Sequence, residues 1–244
     1  MKALAKLTVT EVKLSLRTPM WPILGIGFPS AILLAVGMIS RMDQPYPAEG
    51  GARFIDAWAP SLIVLTVTML GLQTMPVHLA SYREKGILRR LATTPVSPAN
   101  LLVAQVAINA AVAIIGTVLL LVVGAAVFDI PGPRDPWGFL AAFILGTGSV
   151  FGLGVLAAAL ARTSRSASGL AMIAYFPIMF LGGVYLPRQF LPEFVQRLGE
   201  FTPPGVQTLQ DAWTGAGPQP LQLAVLAVFT TGIGFLAART FRWE

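Results

Sequence analysis

Long apolar runs separated by short polar connections organise this chain. Runs over about 21–40, 55–80, 98–128, 137–161, 167–186 and 219–238 each approach or exceed the roughly 20 residues that cross the hydrocarbon of a bilayer. The first, Trp21 to Ser40, outruns the roughly 7–15-residue apolar core of a secretory signal, so the pattern predicts a retained span. The second is long and is expected to be interrupted at Pro60 and Pro76. Ser97-Pro98 supplies a serine N-cap and a proline at the first helical position for the third. Pro131, Pro133 and Pro136 mark a short loop before the fourth. That run carries Gly148 and Gly152 at a spacing that lets helices approach closely. Arg162-Thr-Ser-Arg165 makes a tight loop before the fifth.

Two flanking segments follow a different rule. Over 1–19, helical wrapping at 100° per residue places Lys2, Lys6, Lys13 and Arg17 within about 60° of one another. Leu4, Leu7 and Leu14 fall on one flank and Val9, Val12 and Leu16 on the other. This suits a helix lying at the cytoplasmic headgroup boundary with its lysines toward anionic lipid. Thr8, Glu11 and Ser15 break the pattern, because they lie opposite the lysines. Segment 188–217 is too polar to span and too apolar for a free loop. Phe190, Leu191, Phe194, Val195 and Leu198 recur at helical spacing, Pro203-Pro204 ends that helix, and a second is expected from Gly205 to Trp213. The reading is one all-α membrane domain over 1–244, with six transmembrane helices and short loops.

Composition agrees. Apolar residues make up 55% of the 244 and charged residues 11%, against roughly 25% charged in soluble domains. The net charge of +6 is explained by topology rather than by a nucleic-acid partner. With the N-terminus inside, the inner segments hold twelve of the seventeen basic residues against three acidic ones, and the outer segments five against eight. Every inner segment is basic, so the positive-inside rule places both termini in the cytoplasm and the chain in the cell membrane.

The chemistry missing from the sequence narrows function. There is no cysteine and one histidine, His78, so thiolate chemistry and a His-rich metal site are excluded. No chain of Asp, Glu and His runs along the spans as a proton pump requires. An enzyme acting on lipids would draw on Asp56, His78, Glu193, Glu200 and Asp211, and no motif joins them. None of the four lysines follows glycine, so the chain has no phosphate-binding loop of the Gly-Lys-Ser/Thr type.

Two segments carry a resemblance. Tyr82-Arg-Glu-Lys-Gly-Ile-Leu-Arg-Arg-Leu-Ala-Thr-Thr-Pro-Val-Ser-Pro98, between the second and third spans, resembles the first cytoplasmic loop of type 2 ABC exporter permeases, the group of daunorubicin-resistance-type drug exporters. Gly182-Gly-Val-Tyr-Leu-Pro187, continued by Phe190-Leu-Pro192 and Phe201-Thr-Pro203, is similar to the outer re-entrant segment before the last span of that family. The resemblance implies a coupling helix in loop 81–97, about Ser81 to Leu91, that docks into a separate ATP-binding subunit. Arg83, Lys85, Arg89 and Arg90 suit an acidic partner surface, Ile87, Leu88 and Leu91 an apolar cleft. Glu84 would sense the partner's position, and Gly86 belongs to the same coupling set. The basic residues would also serve topology alone.

The resemblance further implies two permease chains, as a homodimer or a related heterodimer, with two ATP-binding subunits that carry the ATP and Mg. This chain is expected to bind no cofactor itself and to perform no covalent chemistry. Polar positions available to a substrate route are Gln73, Thr66, Thr68, Gln105, Asn109 and Thr117, each of which interhelical hydrogen bonding would equally explain. The expected function is export of a hydrophobic or amphipathic small molecule, as in drug efflux and antibiotic resistance. Export of a lipid, glycolipid or polysaccharide, and a non-transporting assembly factor or channel, are the alternatives.

Overall fold

The computed structural model describes residues 2–17, 20–39, 53–87, 90, 99–185 and 191–240. Leu88, Arg89, Leu91 and the Thr94-Pro95 and Ser97-Pro98 pairs lie outside the described residues, as do 40–52, 186–190 and 241–244. Among the described residues every regular element is helical: α1 (Lys2–Arg17), α2 (Met20–Gly37), α3 (Phe54–Thr68), a π-helical turn (Met69–Thr74), α4 (Met75–Glu84), α5 (Ala99–Phe128), α6 (Pro136–Leu160), α7 (Ser164–Leu181), α8 (Glu193–Glu200), α9 (Val206–Thr214) and α10 (Pro220–Thr240). Four are long and apolar enough to cross a membrane: Phe54–Glu84 taken as one helix, Ala99–Phe128, Pro136–Leu160 and Pro220–Thr240. A shorter apolar helix covers Ile23–Gly37.

Phe54–Glu84 is the axis of the molecule, 78% buried over its apolar window against 17% for Pro220–Thr240. Pro60 does not interrupt it; α3 runs continuously through that residue. Pro76 does perturb it. Proline lacks an N–H and its ring collides with the carbonyl four residues back, and the backbone widens just before it. The Met75 N–H bonds the Leu70 carbonyl, five residues back, and the Thr74 hydroxyl donates to the Met69 carbonyl. Such π turns relieve strain locally and leave a helix bent or widened at that level.

Lipid offers apolar helices no hydrophobic reason to associate, so close packing by small residues decides the neighbours. Helix α6 carries glycines on two faces. On one, Gly148 and Gly152 meet α10: a Cβ at either would stand 2.8 Å from the Cγ2 of Thr230 or Ile233. The Thr230 hydroxyl donates to the Leu145 carbonyl at 3.0 Å. On the other face, a Cβ at Gly154 would run into the Gly71 carbonyl, and one at Gly146 into the Pro204 carbonyl. Helix α6 is thereby held between the last long helix, the π turn and the segment after α8.

Helix α1 and the turn joining α6 to α7 lie at one end of the bundle, packed near the start of α5 and the end of α4. Helices α8 and α9 lie at the other. There α9 buries Val206, Leu209, Ala212 and Trp213, and Trp213 meets Phe139 edge-on. The Arg134 and Asp135 N–H groups bond the carbonyls of Trp213 and Ala212. Asp135 also caps α6, accepting from the Gly138 N–H at 3.0 Å ahead of Pro136 at the first helical position. The Trp58 indole donates to the carbonyls of Gly183 and Val184, which ties the end of α7 to α3.

Candidate functional site

The last turn of α4 presents three consecutive polar side chains to three different neighbours. Tyr82 donates its hydroxyl to Glu11 of α1 at 2.6 Å. Arg83 donates to the carbonyls of Ala158 and Ala161, at 3.1 and 2.6 Å, where α6 ends. Glu84 accepts from the N–H and the hydroxyl of Ser164, at 3.2 and 2.6 Å, where α7 begins. Unsatisfied carbonyls give a helix C-terminus a partial negative charge and free N–H groups give an N-terminus a positive one. A guanidinium on the first and a carboxylate on the second therefore match the field at both ends.

The helix ends one residue later. Gly86 has φ +67°, a left-handed conformation that costs other residues about 1–2 kcal/mol and commonly ends helices. The Lys85 and Gly86 N–H groups bond the carbonyls of Ser81 and Arg83, and the Arg90 N–H bonds that of Gly86. Lys85 and Arg90 are exposed and Ile87 is half-buried. Of the nine residues expected to couple to a partner, Arg83 and Glu84 turn back onto their own chain, while Lys85 and Arg90 face solvent. Leu88, Arg89 and Leu91 lie outside the described residues.

Glu11 has no counterpart among the expected sites. It is 8% exposed and accepts from the Gln105 amide at 2.7 Å as well as from Tyr82. Asn109 extends the network through its amide to the Gln105 carbonyl at 2.8 Å. Its signal was the polar stripe Thr8, Glu11, Ser15 that spoiled the lipid-facing pattern of α1. That stripe faces the protein: Thr8 and Ser15 are half-buried and Glu11 buried, while Val9, Val12, Lys13 and Leu14 are exposed.

The polar positions considered for a substrate route are not gathered in one place. The Thr66 hydroxyl donates to the Leu62 carbonyl of its own helix, and Gln105 and Asn109 belong to the Glu11 network. Gln73, in the π turn, is half-buried. A separate apolar cavity of about 440 Å³ opens between α5, α6 and α10, lined by Val106, Ile114, Phe151, Gly152 and Ala237 among others. None of Gln73, Thr66, Gln105 and Asn109 lines it.

Several apolar helices packed through glycine, with a basic helix end projecting from one side, define a multi-pass membrane protein. Residues 3–204 match the profile of the ABC-2 type transporters, and the chain belongs to that family. It is 22% identical over 204 residues to YvfS of Bacillus subtilis (strain 168), a protein whose name places it among the transport permeases. The match covers 83% of this chain and 81% of that protein. Permeases of this family work with an ATP-binding subunit.

Proposed function

We propose that this chain is the membrane-spanning subunit of an ATP-driven exporter that moves a hydrophobic or amphipathic small molecule out of the cytoplasm or the inner leaflet. In this reading α2 and α7 join the four long helices as spans, both termini are cytoplasmic, and α8 and α9 form the outer re-entrant segment. Two such chains, identical or related, assemble with two ATP-binding subunits, which carry the ATP and Mg.

The observation that carries the reading is the helix end at Glu84 to Arg90. It follows the most buried of the four long helices, turns at Gly86, and exposes Lys85 and Arg90. Opposite charge on a partner would steer and orient docking there. Ile87, half-buried beside them, offers apolar contact. Gln73, half-buried in the π turn, is one polar residue that a passing molecule would meet in this reading. Export of a lipid is the second reading, favoured by the apolar cavity between α5, α6 and α10.

Reversing both charges, Lys85→Glu with Arg90→Glu, is expected to lower recovery of the ATP-binding subunit with the purified permease at least tenfold. Reversal of Arg197, an exposed residue of α8 at the far end, is expected to leave recovery unchanged. Equal recovery from all three would exclude the segment as the docking handle.

A further inference from the structure

Arg83 and Glu84 are neighbours in sequence, yet they address opposite ends of one turn. Arg83 holds the last carbonyls of α6 and Glu84 the first N–H of α7. The turn between is short and internally braced. The Thr163 hydroxyl accepts from the Ser166 N–H, and the Ser166 hydroxyl bonds back to Thr163, a reciprocal cap on α7. Beneath it Ala80 of α4, Ala161 of the turn and Ala167 of α7 are 1%, 2% and 0% exposed and pack as one small cluster. Methyl-sized side chains there bring the three backbones close enough for both polar contacts to form. Helix α4 also packs along both α6 and α7.

Resting on the exporter reading above, we propose that Arg83 and Glu84 are positioning residues. They lock the 161–164 turn to the end of α4, so that a pull on the segment after Glu84 moves α4, α6 and α7 as one body. A helix end that is only packed against its neighbours in lipid slides on weak, nondirectional contacts. Four charge-assisted hydrogen bonds to two helix termini resist both separation and rotation. Arg83 and Glu84 thus carry force within the permease, while Lys85 and Arg90 beyond them face the partner.

The test uses the full chain in lipid nanodiscs with its ATP-binding subunit. The chain has no cysteine, so Tyr185→Cys, 55% exposed just beyond α7, accepts a single environment-sensitive fluorophore. Addition of Mg and ATP is expected to change its emission. Arg83→Ala with Glu84→Ala is expected to cut that change at least fivefold, Ser164→Ala to cut it partially, and Glu84→Gln, which still accepts a hydrogen bond, to restore most of it. An undiminished response in both the double variant and Ser164→Ala overturns the proposal.

A second measurement separates failure of the clasp from failure of the motor reading, since it needs only the permease. Trypsin is expected to cut after the exposed Arg162 and Arg165 about tenfold faster in Ser164→Ala and in the double variant than in the parent. If the parent shows no response to ATP but the cleavage rates differ, the clasp stands and the motor reading falls. If the rates are equal, the clasp itself is refuted.

Discussion

Glu11 shows how a residue that spoils a pattern can be the one that fixes an element in place. An amphipathic helix on lipid has no use for a carboxylate facing away from its lysines, and this one is turned instead onto Tyr82 and Gln105. The irregularity was legible in the sequence; its partners, 71 and 94 residues away, were not. Removing the carboxylate takes the shortest hydrogen-bond partner from a half-buried hydroxyl and a buried amide, at a cost of about 1–3 kcal/mol. Glu11→Ala is therefore expected to lower the thermal midpoint of the purified permease clearly. A double-mutant cycle with Tyr82→Phe should return a coupling of about 1–2 kcal/mol. A coupling near zero would mean that α1 is held by lipid rather than by this network. The same limit applied to Arg83 and Glu84. Their charge and position stood out, but the carbonyls and N–H groups they hold lie 75 to 80 residues away, so nothing local indicated that they bond back onto their own chain.

Among the elements, α6 was the most partially read. Gly148 and Gly152 stand at a recognisable spacing and do form a helix contact, with α10. Gly146 and Gly154 have no signature by themselves, because their meaning depends on the carbonyls of Pro204 and Gly71 brought against them. Pro76 was legible as a disturbance, but not as a π turn, and Pro60 was expected to disturb a helix that passes through it intact. Hydropathy marks that a segment is apolar; it does not say how the backbone absorbs a missing N–H. The packing account predicts opposite outcomes for one substitution at two glycines. Gly154→Ala, which drives a methyl into backbone, is expected to destabilise by about 2–3 kcal/mol or to prevent folding, as overpacking does. Gly232→Ala on α10, where a Cβ meets nothing within 4 Å, is expected to be neutral or to stabilise by up to about 1 kcal/mol. Chemical denaturation of the two variants beside the parent decides it, and equal losses would contradict the packing described.

For the whole molecule, the hydropathy pattern was enough to announce a helical membrane protein, since spanning helices must be long, apolar and internally hydrogen-bonded. Four helices meet that description outright. Helix α2 and helix α7 are less clear-cut, one short in its apolar stretch and the other begun by the polar Ser164-Arg-Ser-Ala. The expectation of cytoplasmic termini rests on charge asymmetry alone, since twelve of the seventeen basic residues fall in the segments assigned to the inner side. What could not be read from composition was the internal wiring of the α4 end. One turn of helix joins α1, α5, α6 and α7, and the chain turns at Gly86 directly after it. An ATP-binding subunit is proposed to take hold at this turn. Placing a photoreactive amino acid at Lys85 in intact membranes tests that claim most directly. The account predicts one dominant adduct, with a nucleotide-binding protein, that is absent when the probe stands at Arg197. A probe at Lys85 that captures only lipid, or the same products from both positions, would contradict it.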